Sequence, residues 1–318
     1  SPPFCFAWSR VYEDCCVTDI MREFYLRKLC FLAYLIWIIK IKALSLHKLT
    51  YTMLDILDNY QPITLEEMSG IRLMNRTDTK FVTTTDQLRK LLKLAVWQYR
   101  VQEIDSRRIG RYYTLYFDTP DYNMFGCHHA GHTDRQKLRI RSYVDSGLNF
   151  LEVKTKNNHG RTKKKRTTMF DFDPMNPTRD IIFDRHDETF VEYDGFLRQY
   201  LRYSPDIMGE KIENRFNRIT LVNNMKTERL TIDTSLCFHN IATGLDVALP
   251  EIAIIELKRD GLVPSPILGL LRELRITPMG FSKYCMGSAL TNPGLKQNRF
   301  KPRLHAVERL RAGLTSGK

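Results

Sequence analysis

Cysteine is scarce in this chain, with seven residues among 318, and no C-x-x-C spacing occurs anywhere. Cys5, Cys15, Cys16 and Cys30 crowd into the N-terminal stretch, whereas Cys127, Cys237 and Cys285 stand far apart. This excludes a zinc knuckle and points to a reducing compartment. A bilayer-spanning run is missing too. The apolar stretch at residues 29–39, LCFLAYLIWII, stops at eleven, and a span needs about 20. No small-x-small cleavage site follows it cleanly, which argues against a signal peptide. Residues 1–52 are therefore read as an upstream extension. The alternative is a short membrane-associating helix flanked by Arg27, Lys28, Lys40 and Lys42. The G-x-x-x-x-G-K-[ST] loop and the protein-kinase signatures are absent, which removes the familiar nucleotide cradles. Internal repeats and low-complexity blocks are also missing. Acidic residues are short: 36 Asp+Glu face 49 Lys+Arg, a formal charge of +13.

That excess calls for an anionic partner: nucleic acid, nucleotide, inorganic phosphate chain or acidic lipid. A hydrophobic content of 43% is ample for a core, in one large domain or two small ones. The group His128, His129 and His132 is read as a polar turn and not as a metal site.

From Met53 the pattern becomes regular. Residues 53–70 suggest an amphipathic lead-in helix interrupted at Pro62 and Gly70. Residues 75–84 alternate like a strand, and Asp86 is a candidate N-cap for a helix striped by Leu88, Leu91, Leu92, Ala95, Val96 and Tyr99. Further strands are expected at 111–118, 137–143, 149–156, 216–222, 228–238 and 252–258, and helices at 190–201, 266–274 and 282–290. The run RTKKKR at 161–166 is read as a solvated loop, and residues 296–318 as a frayed basic tail. Many strands with few parallel crossovers imply an α+β protein built on an antiparallel sheet with helices packed outside.

The charges on these strands are one-sided. With period two, Lys137, Arg139, Arg141 and Tyr143 share a face, as do Phe150, Glu152, Lys154 and Lys156. Lys80, Arg218, Arg229, Asp233, Glu256 and Lys258 also fall mid-strand opposite apolar residues. A wet sheet face would serve as well. But seven of the ten mid-strand charges (Lys80, Arg139, Arg141, Glu152, Lys154, Arg218, Arg229, Asp233, Glu256, Lys258) are basic, and closure into a barrel would turn them inward. Arg forks and Lys point charges suit a string of phosphates. Glu152 and Glu256, each two residues before a Lys, could place a divalent cation beside it.

Segments RTDTKF (76–81), YYTLYFDT (112–119), KLRIRSY (137–143), LEVKTKNNHGRTKKKR (151–166), NRITL (217–221), IIELK (254–258) and FSKYCMG (281–287) together resemble the VTC domain. That is the polyphosphate polymerase module of the triphosphate tunnel metalloenzyme superfamily. The resemblance runs from about Met53 to Leu304, leaving 305–318 as a basic tail. It implies an antiparallel eight-stranded closed β-tunnel with a polar basic lumen, in which ATP gives its terminal phosphate to a growing polyphosphate chain. Carried over by motif, Lys80, Arg139, Arg141, Lys154 and Arg218 grip phosphates, with Lys258 beside them. Ser282 and Lys283 sit by the terminal phosphate, and Glu256 binds Mn²⁺ or Mg²⁺. Ser282 also reads as a helix N-cap. Where many superfamily members open with E-x-E-x-K, this chain has Arg76-x-Asp78-x-Lys80, which lowers the expectation of a simple triphosphatase or cyclase. The chain looks like the short, bacterial stand-alone form, cytoplasmic and able to associate with a membrane or a membrane-protein partner. Two alternatives remain open: a triphosphate or polyphosphate hydrolase using the same lumen, and a non-catalytic polyphosphate- or RNA-binding module. Nucleic acid is the poorer partner, because the Glu-x-Lys pairs would have no purpose there.

Overall fold

A computed structural model describes residues 53–69, 76–159, 161–170, 172–175, 177, 190–261 and 263–315. The expectations for the apolar run at 29–39 and for the four N-terminal cysteines lie outside these residues.

The elements in chain order are β1 (Gln61–Ile63), α1 (Leu65–Ser69), β2 (Arg76–Thr84), α2 (Thr85–Ala95), β3 (Tyr99–Gln102), β4 (Gly110–Asp118) and α3 (Asn123–Ala130). There follow β5 (Arg135–Tyr143), β6 (Leu148–Lys156), β7 (Thr162–Met169), α4 (Phe190–Tyr200), β8 (Gly209–Asn223), β9 (Glu228–Asn240), β10 (Asp246–Leu249) and β11 (Ile252–Asp260). The chain ends with α5 (Pro266–Glu273), α6 (Lys283–Thr291) and α7 (Lys301–Thr315).

One sheet of eleven strands carries the molecule, with a main path β2-β11-β9-β8-β4-β5-β6-β7. Every neighbour along that path is antiparallel. β10 joins β9, β3 joins β8, and the parallel pair β1–β3 flanks them. The sheet is not closed, contrary to the expected eight-stranded tunnel: among the described residues no ladder joins β2 to β7. The free edge of β2 is partly taken. The carbonyl of Lys80 accepts the Met279 N–H at 2.8 Å, and Phe81 bridges Pro278. Proline has no N–H to extend that ladder.

The sheet nevertheless curls. Lys154 on β6 feels the charges of Lys80 on β2 and Glu256 on β11, which lie near the other end of the path. The outer face is apolar and covered by helices. Leu88, Leu91 and Leu92 of α2 pack with Ile232, Ile255 and Leu257, and Tyr193 and Leu197 of α4 pack with Leu138, Ile140 and Leu151. Not every helix lies outside, however. Tyr284 and Met286 of α6 share a cluster with Val82, Tyr116, Phe216 and Ile254, which belong to the inner face, so α6 plugs one end of the trough.

Four local expectations change. The lead-in helix breaks near Tyr60, because residues 61–63 pair with β3. Thr84 caps α2 by accepting the Gln87 N–H, and Asp86 sits in the first turn. His128 and His129 lie on α3, whose N-terminal N–H groups (Met124, Phe125) donate to the buried carboxylate of Asp118. The expected loose tail is the helix α7, which buries Leu304 and Val307.

Candidate functional site

Strand alternation delivers the site. Residues directly opposite each other in a ladder share a face. The pairs Lys80–Glu256, Arg218–Asp233, Tyr116–Arg139, Arg139–Glu152, Glu152–Arg166 and Lys154–Lys164 therefore place Lys80, Arg139, Arg141, Lys154, Arg218, Glu256 and Lys258 in one trough. Ser282 and Lys283 reach it from the start of α6. All the residues singled out in the sequence are thus brought together.

Three carboxylates of the trough are each held between two cations, and Asp78 stands opposite Lys258 in the β2–β11 ladder. Glu256 accepts from Lys258 at 2.7 Å and from Lys80. Asp233 takes the Arg218 fork at 2.6 and 2.9 Å and binds Lys283. Glu152, with a side chain 1% exposed, accepts from Arg139 at 2.7 Å and from Lys164 at 3.0 Å. Burial alone would raise the proton affinity of these carboxyls, but their cationic neighbours win. Arg139, Arg141 and Lys164 bring Glu152 down to about 2, and Asp233 and Glu256 lie lower still.

The remaining cations are under-compensated. Arg141 is buried with its Nε unpartnered, and burial followed by Arg139 and Arg218 lowers it to about 10. Lys154 projects into the open trough, yet the surrounding walls and then Arg139 and Lys137 lower it to about 8. Burial also brings Lys258 and Lys283 to about 8, despite their carboxylate partners. Aromatic rings back several of these groups. Arg218 lies over Tyr112 at 4.9 Å, Lys283 over Phe216 at 4.2 Å and Arg166 over Phe150 at 4.3 Å. Beyond Arg218 the trough opens into a cleft between Tyr112, Tyr143, Thr220 and Arg107.

Ser282 is the N-cap expected of it. Its Oγ caps α6 by accepting the Cys285 N–H at 3.3 Å and also accepts from Lys137 at 2.7 Å.

Among the described residues, no three His, Cys, Asp or Glu converge as a metal centre. Glu256, where the resemblance implies a divalent ion, has its two oxygens taken by Lys80 and Lys258. The ion would replace a lysine on one oxygen and draw its other ligands from phosphate and water, as Mg²⁺ does.

Sequence reasoning gave no role to Asp233, left Lys137 unassigned and dismissed RTKKKR as a loop. That run is β7, with Lys164 and Arg166 facing the trough and Lys165 outside over the Tyr200 ring at 5.1 Å. Its period-two register with Thr162 and Thr168 was the available signal.

No curated protein sequence matches the chain at a significant level. Among solved structures, the Hippeastrum protein HpAC1, described as having a dominant triphosphatase activity, is 16% identical at a TM-score of 0.38, over 69% of this chain and 97% of that one. A Pyrococcus furiosus protein is 13% identical at 0.33, over 65% and 97%. The Pyrococcus horikoshii protein PH1012 is 10% identical at 0.32, over 64% and 91%. Likenesses this distant say nothing further about the chain. The sequence itself is more specific: residues 75–292, which span the trough and its plug helix, match the family model of the VTC domain, and the chain belongs to that family.

Proposed function

We propose that the chain is a polyphosphate polymerase-type phosphotransferase, moving the terminal phosphate of ATP onto a polyphosphate acceptor in the trough. The observation that carries this reading is an over-cationic trough in which Glu152, Asp233 and Glu256 each already accept from two cations. Water must give up a proton to become a useful nucleophile, and none of these three carboxylates has an oxygen free to take it. The end of a phosphate chain is already an anion and needs no base. Catalysis then reduces to alignment and charge neutralisation.

In this reading Arg139, Arg141 and Arg218 hold the triphosphate, and Lys283 and Ser282, fixed by α6, stand at the phosphorus that is transferred. Lys80 and Lys154 face it from opposite walls of the trough. A Mn²⁺ or Mg²⁺ ion bound at Glu256 would supply further neutralisation of phosphate charge.

Purified protein with ATP and Mn²⁺ should make chains that lengthen with time on a gel. Arg139→Ala and Glu256→Gln should each slow this by on the order of 100-fold. Release of orthophosphate from tripolyphosphate without chain growth would assign the trough to a hydrolase instead.

A further inference from the structure

Helix α6 is tied to the sheet by three consecutive residues, each held by a different strand. Ser282 accepts from Lys137 of β5 at 2.7 Å, and Lys283 binds Asp233 of β9. Tyr284 donates to Asp118, the last residue of β4, at 2.5 Å. The first two ties are made by trough cations, for which an incoming phosphate competes. The third is sealed off, with Asp118 0% exposed and Tyr284 1%.

Among the described residues Asp118 forms no ion pair, and a buried carboxylate of that kind is tolerable only where donors saturate it. Its Oδ1 accepts the N–H groups of Thr119 and Met124, both at 2.8 Å. Its Oδ2 accepts the Phe125 N–H at 2.9 Å and the Tyr284 hydroxyl. Met124 and Phe125 open α3, where the helix dipole favours a negative charge. One carboxylate thus joins β4, α3 and α6. An amide at this position would keep a single acceptor oxygen and turn its NH₂ against the donors. Burial, followed by Asp118, holds the Tyr284 phenol well above its ordinary 10, so it stays a donor. Its ring packs on Tyr116 at 5.4 Å and edge-on to Phe125 at 6.4 Å.

We propose that Asp118 is a positioning residue: through Tyr284 it holds the first turn of α6 in place while Lys283 exchanges Asp233 for phosphate. The inference rests on the phosphate reading of the trough and adds to it a residue that touches no substrate. Phosphate draws on Lys137 as well as on Lys283, so the two other ties loosen when the trough fills. Only the bond from Tyr284 to Asp118 lies out of reach of an anion. Without it the first turn of α6 can rotate or slide, and either motion carries the Lys283 ammonium away from the phosphate it should meet.

The test is equilibrium binding of tripolyphosphate without nucleotide, so absent chain growth would sink the polymerase reading and leave this result intact. Asp118→Asn also unmakes the start of α3 and endangers folding. The deciding variant is therefore Tyr284→Phe, which keeps the ring and leaves the three backbone donors on Asp118. It should weaken tripolyphosphate binding about tenfold, the scale of one hydrogen bond to a charged group. Lys283→Ala should weaken it at least as much. Adding Tyr284→Phe to Lys283→Ala should change affinity by no more than about twofold, because no ammonium is left to misplace. A purely structural role would instead give the same loss in both backgrounds. Unchanged affinity in Tyr284→Phe, or equal losses with and without Lys283, would overturn the proposal. A Lys283→Ala protein that binds tripolyphosphate as tightly as the parent would overturn the phosphate reading and the proposal with it.

Discussion

Asp233 shows what a single side chain does in this trough. Alone it would be a costly buried charge, but with Arg218 and Lys283 on its two oxygens it ties β8 to the plug helix. The lysines around such carboxylates make the site sensitive to alkali. Lys154, Lys258 and Lys283 titrate near 8 in the folded protein against an ordinary 10.5. Between these values the native state binds fewer protons than the unfolded chain, so stability should rise with pH from about 8 to 9.5. Phosphate affinity should fall over the same interval, because the trough loses positive charge. On the acid side the slope has the same sign. Glu152, held at about 2 against 4.5, contributes stability above 4.5 that is lost as pH drops towards 2. Melting curves and tripolyphosphate titrations across this range check both limbs; a flat affinity from pH 7 to 9 would contradict them. Residue roles were only partly legible in the sequence. Period two put Arg139 and Glu152 on one face, but their 2.7 Å contact needed the β5–β6 register.

At the scale of elements, α6 decides where Ser282 and Lys283 point. It is seated by Tyr284, whose hydroxyl donates to Asp118 at 2.5 Å, and by a close approach to β9. A Cβ on Gly287 would stand 2.5 Å from Cδ1 of Phe238. Gly287→Ala should therefore destabilise by about 1–3 kcal/mol despite the better helix propensity of alanine. It should also weaken phosphate binding through the displaced Lys283. A Phe238→Leu change that restores both melting temperature and affinity would confirm the contact, and an unchanged Gly287→Ala protein would refute it. The sequence placed this helix within a residue of its observed ends, since Ser282 is a strong cap. It missed β7, because a run of cations reads as solvent-facing unless a second charged strand such as β6 is known to lie beside it.

For the whole molecule, alternation reveals which face a residue occupies but not which edge finds a partner. That is why the antiparallel sheet and its cationic side were legible while closure was not. The edge of β2 is bonded by residues 278–279, far away in sequence, and α6 enters the trough instead of lying outside it. The short β1 was hidden for a similar reason, since Gln61–Ile63 becomes a strand only beside β3. The central claim is that this curled cationic face holds a line of phosphates. A structure determined with tripolyphosphate and Mn²⁺ tests it most directly. It should show phosphorus density running from Lys283 and Arg218 to Arg139 and Arg141, with at least one lysine displaced from Glu256. Phosphate bound only on the outer face, at Lys163 and Lys165, with both lysines still on Glu256, would contradict it.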